Sequence, residues 1–122
     1  MGNMKREIIL YTTATGKCPV EEYFDSLEIN VVKKITWTLK IIEETDFVPK
    51  TYFKKLEATN GIWEVRVKLG TNIYRLFSFW DKNNLVVLTH GIIKKNQKIP
   101  AKEIKQAEEY KKDYFRRKKN ES

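Results

Sequence analysis

The chain has 122 residues, 41% apolar and 12% aromatic, enough for one domain with a modest core and too hydrophobic for a wholly disordered chain. No apolar run approaches the roughly 18 residues of a membrane span, and a single cysteine, Cys18, excludes an internal disulfide and fits a reducing compartment. The net charge of +8 is uneven, with a balance of +2 over residues 1–93 and +6 over residues 94–122, which suggests a polyanion met from one side; a solubilising tail is the plainer alternative.

In chain order, residues 4–11 (MKREIILY) read as a short strand. The N-terminal apolar stretch is too short for a secretory signal, so a cytoplasmic location is expected. Gly16 breaks the strand, and Pro19 suits the first position of a helix over 19–28, whose apolar stripe is Val20, Tyr23, Phe24 and Leu27. Asn30 is a candidate N-cap for a second helix running to about Asp46, with Val31, Ile35, Leu39 and Ile42 as its stripe and Val32 and Trp37 widening it. With almost no linker between them, the two helices should form an antiparallel hairpin.

From Thr51 the period changes to two. Tyr52, Phe53 and Leu56 suggest a short strand, followed by strands over 62–68, 73–80 and 85–93, with turns at 69–72 and 81–84. A helix over 101–117 shows Ile104, Ala107, Tyr110 and Tyr114 on one face, and residues 118–122 should fray. The whole reads as a single α+β domain spanning 1–122.

The turns predict a register. Centring one on 69–72 places Arg66 opposite Arg75, and centring the next on 81–84 places Arg75 opposite His90, the sole histidine. Trp63, Val65, Val67, Tyr74, Leu76, Trp80, Leu85 and Val87 would then bury against the helix hairpin. Phe77, Phe79, Val86 and Leu88 would lie on the other face with the Arg–Arg–His row. Two opposed arginines repel. Either a carboxylate, Glu57 or Glu64, neutralises them, or a phosphate does, for which the guanidinium fork is well suited. Histidine beside them can move a proton near neutral pH. Lys94, Lys95 and Lys98 leave the same strand end and would rim the patch. Lys54 and Lys55 flank a short strand, so at most one should reach a nucleic acid. Trp37, Trp63 and Trp80 are expected in the core, and Cys18 at a helix start. One cysteine and one histidine cannot complete a tetrahedral zinc site without two carboxylates, so no metal is expected.

Residues 54–114 contain, in order, Lys55–Glu57 before a turn, Gly61–Arg66 (GIWEVR), Asn72–Arg75 (NIYR), His90–Pro100 (HGIIKKNQKIP) and a Lys/Glu-rich helix. This series resembles the HigB-like branch of the RelE/ParE toxin superfamily, phage-related members included. The resemblance implies a RelE-like β-α-α-β-β-β-β fold, an antiparallel-rich twisted sheet packed on a helical hairpin with a C-terminal helix. It also implies a type II toxin–antitoxin toxin: an mRNA interferase that cuts mRNA in the ribosomal A site without metal or cofactor, by attack of the ribose 2′-hydroxyl on the adjacent phosphate. A cognate helix-turn-helix (HigA-like) antitoxin would hold it inactive in a hetero-oligomeric complex in a bacterial or prophage cytoplasm. Mapped on this chain, the expected catalytic residues are Arg66, Arg75, His90, Lys94 and Lys95, with Lys54, Lys55, Lys68, Lys98 and Lys102 binding RNA. A gyrase-inhibiting relative, or a decayed prophage toxin that only binds its antitoxin, is the alternative.

Overall fold

The computed structural model describes residues 5–94 and 98–121. Five strands form one sheet in the order β1-β5-β4-β3-β2, from β1 (Glu7–Leu10), β2 (Phe53–Lys55), β3 (Trp63–Leu69), β4 (Asn72–Lys82) and β5 (Leu85–Lys94). β1 runs parallel to β5 and every other pair is antiparallel. Helices α1 (Pro19–Asp25) and α2 (Ile29–Glu44) cover one face, and α3 (Ala101–Glu121) covers part of the other.

Local chemistry explains most of these elements. Pro19 opens α1, as expected, after an extended Cys18. α2 starts earlier than Asn30 predicts: Glu28 is the extended cap residue, and its carbonyl accepts from Val31 and Val32 N–H at 3.0 and 3.1 Å. Asn30 therefore lies within the first turn. The buried stripe of α2 is Val31, Ile35, Thr38 and Ile42, with Leu39 partly buried. Thr38 is tolerated because its hydroxyl donates to the Lys34 carbonyl one turn back, at 3.0 Å. Trp37 does not widen the stripe; it is 56% exposed. The C-terminal end of α2 is capped by Arg6, whose guanidinium donates to the carbonyls of Ile42 and Thr45 at 2.9 and 2.8 Å.

Both helices pack on the same face of the sheet. α2 lies on β3 and β1, and α1 lies on β5. Their side chains meet Val65, Val67, Tyr74, Leu76, Val86 and Leu88 in the larger core cluster. Tyr23 of α1 donates its hydroxyl to the Ile92 carbonyl at 2.7 Å, and its ring lies so close to Gly91 that an added Cβ would sit 2.5 Å from it. Burial raises the Tyr23 hydroxyl pKa well above its usual value, so it stays a donor. The glycine after His90 is thus set by helix–strand packing.

The β3–β4 hairpin forms in the expected register, with Arg66 opposite Arg75, and Gly70 supplies the φ of +63° that the turn needs. The β4–β5 register differs. β4 continues through Lys82, and pairing shifts occur between Phe77 and Ser78 and between Trp80 and Lys82. His90 consequently pairs with Phe77, and Arg75 pairs with Ile92. A one-residue slip exchanges the two faces of a strand. Val86 and Leu88, expected beneath α3, join the α1/α2 core, while Val87 takes the α3 side with Tyr11 and Phe79.

α3 continues through Glu121, so residues 118–121 lie within the helix. Two clamps hold its later turns. Tyr11 donates to Asp113 at 2.5 Å, and Asp113 also accepts from Arg116 and Arg117. Asp81, with its side chain 4% exposed, accepts from Tyr114 at 2.7 Å and pairs with Lys118 at 2.6 Å. Burial, then the hydrogen bond to a carboxylate, pushes both Tyr11 and Tyr114 up to about 12. Asp113 sits below its ordinary value, chiefly through the Tyr11 hydrogen bond. Burial pushes Asp81 the other way, but the Lys118 and Tyr114 hydrogen bonds outweigh it.

Candidate active site

The α3 side of the sheet is built as three successive rungs, read across the strands from β2 or β3 to β5. The first is Lys54–Glu64–Phe77–His90, the second Arg66–Arg75–Ile92, and the third Lys68–Ile73–Lys94. Residues at alternate positions share a face, so these side chains belong together. The expected row of Arg66, Arg75 and His90 does not form. His90 stands one rung away, about 7 Å along the strands at ~3.4 Å per residue.

α3 covers the first rung. Ala107 is fully buried against Phe77, Leu56 and Ile62, with Ile104, Ile99 and Ile92 packed around them. From there the helix runs away from the arginines, toward Asp81 and Tyr11. His90, 9% exposed, lies over the Phe77 ring at 5.0 Å between centroids and meets the edge of Tyr110 at 5.7 Å. Its Nδ1 is 3.0 Å from Thr89 Oγ1 and its Nε2 is 3.3 Å from Glu103 Oε1. Burial drives the imidazole pKa below 6.5 while Glu103 draws it back up, and the net direction is down. Burial therefore favours the neutral imidazole.

In the second rung Arg75 is 2% exposed and forms an ion pair with Glu64, which is 1% exposed. Glu64 is one of the two carboxylates the sequence offered for the opposed arginines; Glu57 is exposed instead, near Lys55. Glu64 Oε1 has no hydrogen-bond partner among the described residues. Arg66 is half-buried at the β3 edge, Lys94 is half-buried, and Lys68 is exposed. Among the described residues, the cations of these rungs that reach solvent are therefore Lys54 and Lys68, both exposed, and Arg66 and Lys94, both half-buried.

The remaining cations scatter. Lys54 shares the face of Glu64, whereas Lys55 pairs with Trp63 and belongs to the α1/α2 face. Lys98 and Lys102 are exposed on either side of the α3 start. Lys95 lies outside the described residues. Trp63 and Trp80 are partly buried in the larger core, as expected, with Trp37 the exception. Glu103, the partner of His90, was not singled out from the sequence, since only docking of α3 reveals which of its glutamates meets the imidazole.

A mixed five-stranded sheet with two helices on one face and a C-terminal helix on the other is an α+β architecture consistent with the RelE-like fold. Residues 22–112 match the family described as Phage derived protein Gp49-like (DUF891), and the chain belongs to it. This is a RelE/HigB-like family of toxins from toxin–antitoxin systems, and membership points to an antitoxin partner. A search of curated proteins finds no match. Among the described residues, no helix is long and apolar enough to cross a membrane.

Proposed function

We propose that the protein is a HigB-branch toxin that cleaves mRNA in the ribosomal A site, acting as one domain in the cytoplasm and restrained by a helix-turn-helix antitoxin. The observation that carries this reading is the cationic pair of rungs: Arg66 in register with Arg75, and Lys68 and Lys94 one rung beyond. Converging cations are what a phosphodiester needs as it gains charge in a pentacoordinate transition state.

In this reaction the ribose 2′-hydroxyl attacks the adjacent phosphorus, the bond to the 5′-oxygen breaks, and the products are a 2′,3′-cyclic phosphate and a 5′-hydroxyl. Arg66, Lys68 and Lys94 hold the phosphate, with Lys54, Lys95, Lys98 and Lys102 contacting the flanking backbone. Arg75 reaches the phosphate by exchanging Glu64 for it. His90, its neutral form favoured by burial, takes the 2′-hydroxyl proton once Glu103 yields its Nε2, and the departing 5′-oxygen takes a proton from the Lys94 ammonium, which solvent restores. Each of the two buried groups thus has a carboxylate where substrate oxygens would stand.

The test is end-mapping of mRNA in a translating extract. Cyclic-phosphate and 5′-hydroxyl ends are expected, lost in Arg66→Ala and reduced in His90→Gln. Wild-type protein that leaves mRNA intact while arresting growth would sink the nuclease reading. A specific observation favours the alternative of a non-catalytic binder: Glu64 and Glu103 already pair with Arg75 and His90. If so, His90→Gln would arrest growth as wild type does.

A further inference from the structure

β2 pairs with β3 only as far as Val65, and one further bond, from Arg66 N–H to the Tyr52 carbonyl at 2.8 Å, closes the ladder. Beyond that point the β3 edge faces α2 across a pocket of about 480 Å³ lined by Lys34, Trp37, Tyr52, Arg66 and Lys68, among others. That volume lies within the roughly 300–1,000 Å³ typical of small-ligand sites. Three features of its wall are informative together. Trp37 is 56% exposed and Tyr52 36% exposed, large aromatic surfaces that the core does not use. Three lining residues are cations and none is acidic. Finally, Arg66 and Lys68 belong both to this wall and to the cationic rungs of the candidate active site, so the two are continuous.

We propose that this pocket binds a base and its adjoining phosphate from single-stranded RNA, with Trp37 and Tyr52 as the stacking surfaces and Lys34 and Lys68 as counter-charges. The proposal deepens the nuclease reading and rests on it: the strand whose scissile phosphate sits at Arg66 continues around the β3 edge into the pocket. Aromatic stacking suits any base, because every base has a π-face, and the lysines follow the backbone without reading sequence. A larger hollow of about 770 Å³, beside Phe53, Trp63 and Trp80, offers a contrast. Its wall includes Asp46 and Glu57, and Lys5 already pairs with Asp46 at 3.1 Å, so it lacks a purely cationic lining.

The probe is a fluorescently labelled 2′-O-methyl RNA hexanucleotide, which has no free 2′-hydroxyl and survives intact. Its binding is followed by anisotropy across a salt series, alongside mRNA cleavage in a translating extract. Trp37→Ala should weaken binding about ten-fold or more, and Trp37→Phe should restore most of it. Lys34→Gln should lower the slope of log affinity against log salt by about one. Equal binding by Trp37→Ala and wild type, with wild-type cleavage intact, overturns the pocket and leaves the nuclease reading standing. Wild-type protein that neither cuts mRNA nor binds the hexanucleotide overturns both. Unchanged RNA affinity with loss of antitoxin binding in Trp37→Ala also overturns the proposal, by making the pocket a protein interface.

Discussion

The α3 side of the sheet holds two regions of opposite character only one rung apart. Around Phe77 and His90 the surface is closed: α3 seals it, aromatic rings stack, and the imidazole is kept neutral by burial. Around Arg66, Lys68 and Lys94 it is cationic and more exposed, with the buried Glu64–Arg75 pair beside it. The same strands build both regions, so the difference comes from what covers them. Where apolar side chains face outward, a helix docks and polar groups must find internal partners. Where charges face outward, no helix can cover them without a desolvation cost.

The boundary between the two regions is the Glu64–Arg75 pair, and breaking it should have the greatest effect. Glu64→Ala strands a buried guanidinium and should cost about 3–5 kcal/mol, read as a lower urea midpoint with unchanged slope. A loss under ~1 kcal/mol would mean that Arg75 finds water or phosphate in solution. On the open side, Arg66→Ala should slow mRNA cleavage on the order of 10²-fold while leaving the urea midpoint nearly unchanged. A parallel fall in stability would instead assign Arg66 to the scaffold. On the helical side, Gly91→Ala drives a methyl into the Tyr23 ring and should cost about 1–3 kcal/mol. An unchanged melting temperature would show that α1 can shift.

The pH dependence bears on the closed region alone. His90 has a folded-state pKa below its unfolded value of about 6.5, so the unfolded chain binds more protons between the two values. Its contribution is fully present above about pH 6.5 and is lost as pH falls through the folded pKa. Denaturant titrations from pH 7.5 downward should show this loss in wild type and not in His90→Gln; identical curves would mean that Glu103 offsets the burial. The smallest effect is expected at Lys55, which shares the α1/α2 face with Trp63: Lys55→Gln should change cleavage less than Lys54→Gln does. The reverse order would move the RNA path to the other face.

Periodicity and turn chemistry carried much of the architecture in advance. Period-two runs marked the strands, the Val31/Ile35/Ile42 spacing marked α2, Pro19 marked a helix start and residues 69–72 a turn, because each follows from contacts a few residues apart. The Arg66–Arg75 pairing was legible for the same reason, since a tight hairpin propagates its register. The β4–β5 register was not. Two pairing irregularities moved His90 beside Phe77, and such shifts are chosen by how Val86, Val87 and Leu88 pack between the helices on either face.

The burial of Arg75 and the Glu103–His90 contact lay equally beyond local reading, as did the exposure of Trp37. Each depends on a docking between segments far apart in the chain. Composition and local spacing therefore settled which elements form and that cations gather toward the C-terminal part of the chain. Tertiary packing settled which basic side chains are buried in ion pairs and which reach the surface, because burial and charge pairing are properties of the assembled layers and not of any one of them.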